Sequence, residues 1–241
     1  KISREAPAGN FGIVCWSVIQ RLWVVNPVRQ IPEIEKKGVT MYHFTIPMAL
    51  MDFIPVLCFG YAAALLQRDL YDKMRKSHFA LFAAGTINIF TAGLLKAVWK
   101  LLYAANICDF VALEEMFMPV NSLGLLFVGL SLIGMLCWKK KSCMLSVAPP
   151  VFASSMPFIM MMVVGLGGLC AGLSILSAKM KKGAVMILFI LSFICAMAMG
   201  YMSSQDSTQS WVNWVEQSIN TVSQLCLMIG VIALHKAGLK E

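Results

Sequence analysis

Apolar residues in this chain fall in long, nearly unbroken blocks. They do not follow the two-residue alternation of a half-buried strand or the three-to-four-residue rhythm of a helix lying half in water. Apolar blocks of about 18 residues or more read as membrane-spanning helices. The blocks predict spans near 45–66, 79–104, 118–138, 152–178, 184–203 and 210–235, joined by short polar connections. A transmembrane barrel would need alternating segments of about ten residues, and no such alternation recurs. The expected fold class is all-α, a polytopic transmembrane helical bundle of six spans plus a short or re-entrant seventh pass that the loop charges suggest.

Those charges set the expected orientation, because short cytoplasmic loops carry an excess of Lys and Arg. The connection from Arg68 to Lys76 holds four basic residues and is expected in the cytoplasm, with Asp109, Glu114 and Glu115 outside and Lys139–Lys141 inside again. The N-terminus then lies outside. A single crossing of 142–178 would put Lys179, Lys181 and Lys182 outside, against the rule, and would reverse the last span. Two passes would repair every sign and leave the C-terminus cytoplasmic. Pro149-Pro150 and Met156-Pro157 break the helix in the first part of this segment. A short or re-entrant pass between 142 and 158 is therefore the preferred expectation. One long tilted helix from about 150 to 178, with an exception to the charge rule, is its rival.

Residues 1–40 contain no block long enough to span. Met41 directly precedes the first strong span, and Lys37-Gly38-Val39 can be encoded by a sequence containing a bacterial ribosome-binding site. The expectation is that Met41 begins the native protein and 1–40 are translated leader, the alternative being a short interfacial amphipathic segment. Residues 41–241 show no internal repeat or linker and are expected to form one transmembrane domain.

Composition agrees with the pattern. The chain is 59% hydrophobic and 13% charged, where a soluble domain carries about 25% charged residues. The net charge of +8 reflects the lysine-rich loops. Without a basic patch interleaved with aromatics, nucleic acid is not an expected partner. None of the eight cysteines forms a C-x-x-C pair, so neither metal nor a disulfide framework is expected. No cofactor is expected. H-E-x-x-H, G-x-S-x-G and Walker motifs are absent, so no enzyme class is indicated.

Four charges inside the apolar blocks stand apart: Asp52, Lys96, Lys100 and Glu216. An ionisable group in lipid is costly and marks a site or a lock. By helical rise Asp52, Lys96 and Glu216 lie roughly 10, 12 and 9 Å below the same surface. In the last span Asn213, Glu216, Asn220 and Gln224 recur at helical spacing on one face, with Gln217 and Ser223 beside them. The second span carries Asn88, Lys96, Trp99, Lys100 and Tyr103 along one side, and Asn121 and Ser122 open the third. The candidate ligand-binding residues are thus Asp52, Asn88, Lys96, Asn121, Asn213, Glu216, Asn220 and Gln224. Lys100 is expected to snorkel to the interface. Gly168 and Gly172 form a G-x-x-x-G that permits close helix packing.

Two functions compete at this point. One is an outward-facing pocket in a bacterial-type inner (plasma) membrane protein that binds or transports a small polar or zwitterionic molecule or a lipid headgroup, with proton coupling through its carboxylates. In it Lys96 holds an anionic group while Glu216 and Asp52 meet a cation or carry a proton. The other is a scaffold, sensor or partner subunit whose polar stripe is an assembly surface, for a helix-mediated oligomer or a partner membrane protein. A remote third is an intramembrane lipid hydrolase.

Overall fold

A computed structural model describes residues 45–137, 156–202 and 210–239. Six of its helices are long and apolar enough to cross a membrane, so the chain is an all-α, multi-pass membrane protein. The elements are α1 (Ile46–Met51), α2 (Phe53–Leu70), α3 (Lys76–Ala104), α4 (Val111–Glu115), α5 (Phe117–Cys137), α6 (Met156–Lys179), α7 (Gly183–Met202) and α8 (Ser210–Lys236).

Local chemistry explains several boundaries. The first span is split at Asp52, which ends α1 and opens α2. Pro55 has no N–H for the Met51 carbonyl, so the helical ladder is interrupted there. The end of α3 is closed by Asn106 in the left-handed region (φ 53°), with Ile107 N–H bonded to the Leu102 carbonyl at 3.1 Å. Lys181 (φ 56°) ends α6 and Gly238 (φ 90°) ends α8 with the same six-to-one hydrogen bond. The first two spans run further than the apolar pattern predicts. Arg68, Asp69 and Leu70 are helical, and the connection shrinks to 71–75.

The spanning helices form a ring in the order α2, α3, α5, α6, α7, α8 and back to α2, each packed on its two neighbours. Short α1 leans on α2 and α3, and α4 on α3 and α5. Side-chain contacts give the directions. Gly60 faces Phe90 and Gly93 faces Val56, so α2 and α3 are antiparallel. Gly85 meets Gly124 while Gly134 meets His78, so α3 and α5 are antiparallel as well. In contrast, α5 and α6 are parallel: Gly129 lies against Gly165 and Gly168, and Leu132 against Gly172. A Cβ on Gly129 would come within 2.6 Å of the Gly165 carbonyl oxygen, so glycine is what lets these backbones touch. The turn at 180–182 makes α6 and α7 an antiparallel hairpin. Ser192 pairs with Ser223, and Phe189 sits on Gly230, so α7 and α8 are antiparallel.

The ring closes with α2 and α8 running in the same direction. His235 in the last turn of α8 meets Asp69 in the last turn of α2, Nδ1 lying 2.9 and 3.0 Å from the two carboxylate oxygens. Because α5 and α6 are parallel, Cys137 and Met156 stand at opposite ends of the bundle. The expected short or re-entrant pass at 142–158 falls almost entirely outside the described residues, as do residues 1–40.

The two ends differ in charge. Arg68, Lys73, Arg75, Lys76, Lys179, Lys181, Lys182 and Lys236 are exposed at one end, with Asp72 as the exposed acid there. Asp52, Lys96, Lys100, Asp109, Glu114, Glu115 and Glu216 gather towards the other. The buried apolar core lies in the basic half of the ring. Phe59, Leu66 and Leu70 of α2 meet Phe82, Val128, Leu132, Leu169, Leu173, Phe189, Val231 and Leu234 there, drawing on all six spanning helices.

Candidate functional site

The acidic half of the ring is lined differently from the core. Its buried residues include Asp52, Asn121, Ser122 and Gln217, at 7%, 8%, 0% and 7% exposure. Each is positioned by an element described above. Asp52 sits at the break between α1 and α2, Lys96 and Lys100 lie one turn apart near the end of α3, and Asn121 and Ser122 occupy the first turns of α5.

Lys100 Nζ lies 2.6 Å from Asp52 Oδ2. Lys100 is therefore not simply the interfacial side chain expected from sequence; it closes an ion pair between α3 and the start of α2. Lys96, one turn deeper, makes a different contact. Its Nζ stands 4.2 Å from the centre of the Phe117 ring. Lys96 is half-buried and lies within electrostatic reach of Lys100, Glu216, Asp52 and Glu114. Among the described residues it forms no ion pair, and neither does Glu216. An ammonium over a ring face gains about 0.5–2 kcal/mol, against a cost of about 2.5–3.5 kcal/mol or more for a lysine at membrane depth. The ring alone does not offset burial, so the carboxylate field around Lys96 has to contribute.

Aromatic and acidic groups gather at this end. Trp99 is 2% exposed and donates its indole N–H to Asp109 Oδ1 at 3.0 Å. Its ring meets Tyr103 at 5.9 Å between centroids. This contact ties the end of α3 to the segment before α4, and within α4 Glu114 lies within electrostatic reach of Lys96, Lys100, Asp109 and Glu115.

On α8, Asn213, Glu216 and Asn220 are half-buried and Gln217 is buried. Two amide atoms, Gln217 Nε2 and Gln224 Oε1, are enclosed without any hydrogen-bond partner among the described residues. Packing does not join α8 to α3 in the ring; α8 rests on α2 and α7. Their acidic ends bring Glu216 within electrostatic reach of Lys96. Asn88 stands eight residues below Lys96 on α3, about 12 Å deeper by helical rise, towards the apolar core rather than beside the charged cluster. Of the residues singled out from sequence, Asp52, Lys96 and Glu216 are brought together at one end, Asn121 lies at their level, Asn213 and Asn220 flank Glu216, and Gln224 extends below.

Lys100, Phe117, Glu114 and Gln217 join this end without having been among the candidates. Lys100 had a signal, since it shares the face of Lys96 at i+4. Gln217 stood beside the stripe, but only packing shows that it turns inward. Phe117 and Glu114 carry no local signature. Among the described residues, no group of three or more His, Cys, Asp and Glu side chains is arranged to hold a metal ion. No family model, curated protein or solved structure matches the chain.

Proposed function

We propose that the acidic half of the ring is a binding site for a small zwitterionic or polar solute, opening away from the basic end. The supporting observation is Lys96: an ammonium at membrane depth, resting on an aromatic face, with no carboxylate of the described residues bonded to it. A helix lock would have used Lys96 to bond Asp52 or Glu216 directly. That role goes to Lys100 instead, which leaves Lys96 for an anionic group from outside.

The charge balance selects the kind of ligand. Two cations, Lys96 and Lys100, share this region with three carboxylates, Asp52, Glu216 and Glu114. A plain anion on Lys96 would deepen the negative excess. A molecule that also brings a cationic group to Glu216, or an anion accompanied by a proton, leaves that excess no larger. Glu216 is the carboxylate left for such a group, because Asp52 is already bonded to Lys100. With the apolar core closing the basic half, the solute would cross only if that core opens, so binding is the first step of transport. In this reading the protein lies in a plasma (inner) membrane of bacterial type with its basic end in the cytoplasm, as short basic loops require. A lipid headgroup is the other source of the same chemistry.

Thermal unfolding of the purified protein with glycine, glutamate and glycerophosphocholine tests the proposal. A ligand at 100 times its Kd adds about 2.7 kcal/mol of stability. At least one compound should raise the midpoint in the wild type and none should in Lys96→Gln. Glu216→Gln should lose the response to zwitterions while its ligand-free midpoint stays put. A midpoint that collapses without ligand in both variants would make the cluster a structural lock.

A further inference from the structure

Two amide atoms on α8, Gln217 Nε2 and Gln224 Oε1, are enclosed without a partner among the described residues, and their residues share one face at i and i+7. At about 1.5 Å per residue they stand roughly 10 Å apart along the helix. Gln217 is beside Glu216, at the level of Lys96; Gln224 is two turns deeper. Immediately beneath Gln224 comes Leu227, 4% exposed, and then Val231, at 0%, both in the apolar core. The polar lining therefore ends at Gln224.

Enclosing an amide nitrogen and an amide oxygen without partners is costly. The neighbourhood shows how this bundle treats its other buried polar groups. Ser192 and Ser223 each donate to the other's carbonyl, at 2.9 and 2.8 Å. Thr86 donates to the preceding turn of α3 and accepts from Gln67 at 2.6 Å. Gln217 and Gln224 are exceptions, each with an enclosed amide atom that has no partner among the described residues.

We infer that the solute held at Lys96 and Glu216 extends down α8 to Gln224 and carries hydrogen-bonding groups along that length, so that the site takes an α-amino-acid-like zwitterion with an amide, ureido or hydroxyl-bearing body rather than a lipid with an alkyl tail. This rests on the proposed reading of Lys96 as an anion-binding group. The ammonium and carboxylate of such a head meet Glu216 and Lys96 together and leave the local charge unchanged. A body with both donors and acceptors serves Gln217 Nε2 and Gln224 Oε1, and serves them equally if either amide is turned over. An alkyl chain in the same place leaves both amides unpaired, and sites with buried polar groups reject such analogues strongly.

The test compares citrulline with 2-aminooctanoate, two zwitterions of equal chain length that differ in the ureido group. Binding is measured by calorimetry on the purified full chain. Citrulline should bind at least about tenfold more tightly. Gln224→Leu should bring the two together, and Lys96→Gln should abolish both. Equal binding, or tighter binding of 2-aminooctanoate, with both lost in Lys96→Gln, overturns the hydrogen-bonding track and leaves the zwitterion site standing. Failure of both compounds to bind at millimolar concentration overturns both readings. If Gln224→Leu does not fold, Gln224→Cys decides the depth of the track. Its thiol should react with a charged methanethiosulfonate and be protected by citrulline, whereas an inert thiol overturns the proposal.

Discussion

Lys100 and Asp52 meet at 2.6 Å across the junction of α3 with the α1–α2 break, their side chains 18% and 9% exposed. Removing one partner breaks a largely enclosed pair, which costs about 3 kcal/mol. Asp52→Asn and Lys100→Met should each lower stability by about that amount. The double variant should recover at least half of the loss, because neither charge is then left alone. Denaturant or thermal unfolding of the four proteins in detergent measures the coupling.

Asp69 and His235 make the matching contact at the basic end, but the partners are unequal: the Asp69 side chain has no exposure and that of His235 has 30%. His235→Leu leaves a carboxylate sealed in the bundle, whereas Asp69→Leu leaves an imidazole able to turn towards solvent. The first should therefore be the more destabilising, by about 3 kcal/mol against about 1. The same unfolding assay gives the order, and equal losses would mean that Asp69 has another way to reach water.

Ser192 and Ser223 lock α7 to α8 with a reciprocal pair of hydrogen bonds. Interhelical bonds of this kind in membrane proteins are worth about 0.6 kcal/mol on average and at most about 1.7. Ser223→Ala should cost about 1 kcal/mol, and adding Ser192→Ala should cost little more, since the first change already breaks the exchange. A double-mutant cycle reads this directly.

The direction of α6 gives a topological prediction. Gly129 packed on Gly165 and Gly168 makes α5 and α6 parallel, so the 71–75 and 180–182 connections lie at the same end. Reporters fused in the 71–75 connection and after Lys182 should give the same cytoplasmic signal, and one after Glu115 the opposite signal. Opposite signals for the first two would reverse α6. Gly129→Val should separate α5 from α6 and lower stability by about 1–3 kcal/mol, the cost of forcing extra bulk into a closed contact.

Much of this architecture is legible in the sequence, and the residues that escape share a cause. Unbroken apolar blocks define the six spans, and loop charges place Asp52, Lys96 and Glu216 at one level before any packing is known. What the sequence does not carry is the choice of partner. Lys96 and Lys100 share a face at i+4, and only the position of the α1–α2 break decides that Lys100 takes Asp52 while Lys96 is left to Phe117. Asp69 sits in a charged run and reads as a loop residue; it is buried because α2 continues beneath it and His235 arrives from the far end of the chain. A serine in an apolar block is unremarkable until its helix neighbour is known, so the Ser192–Ser223 exchange leaves no trace in the pattern. Gln217 and Gln224 look like part of a broad stripe, and their enclosure depends on how α8 packs against α2 and α7.

The central claim is that Lys96 faces a water-accessible site and not a dry lock. The most direct measurement is the reaction of Lys96→Cys with a charged methanethiosulfonate in membranes, in a chain whose eight native cysteines are replaced, beside Phe82→Cys in the apolar core. The account predicts rapid modification at 96 and none at 82. A thiol at 96 as unreactive as the one at 82, in a protein that is folded, would contradict it.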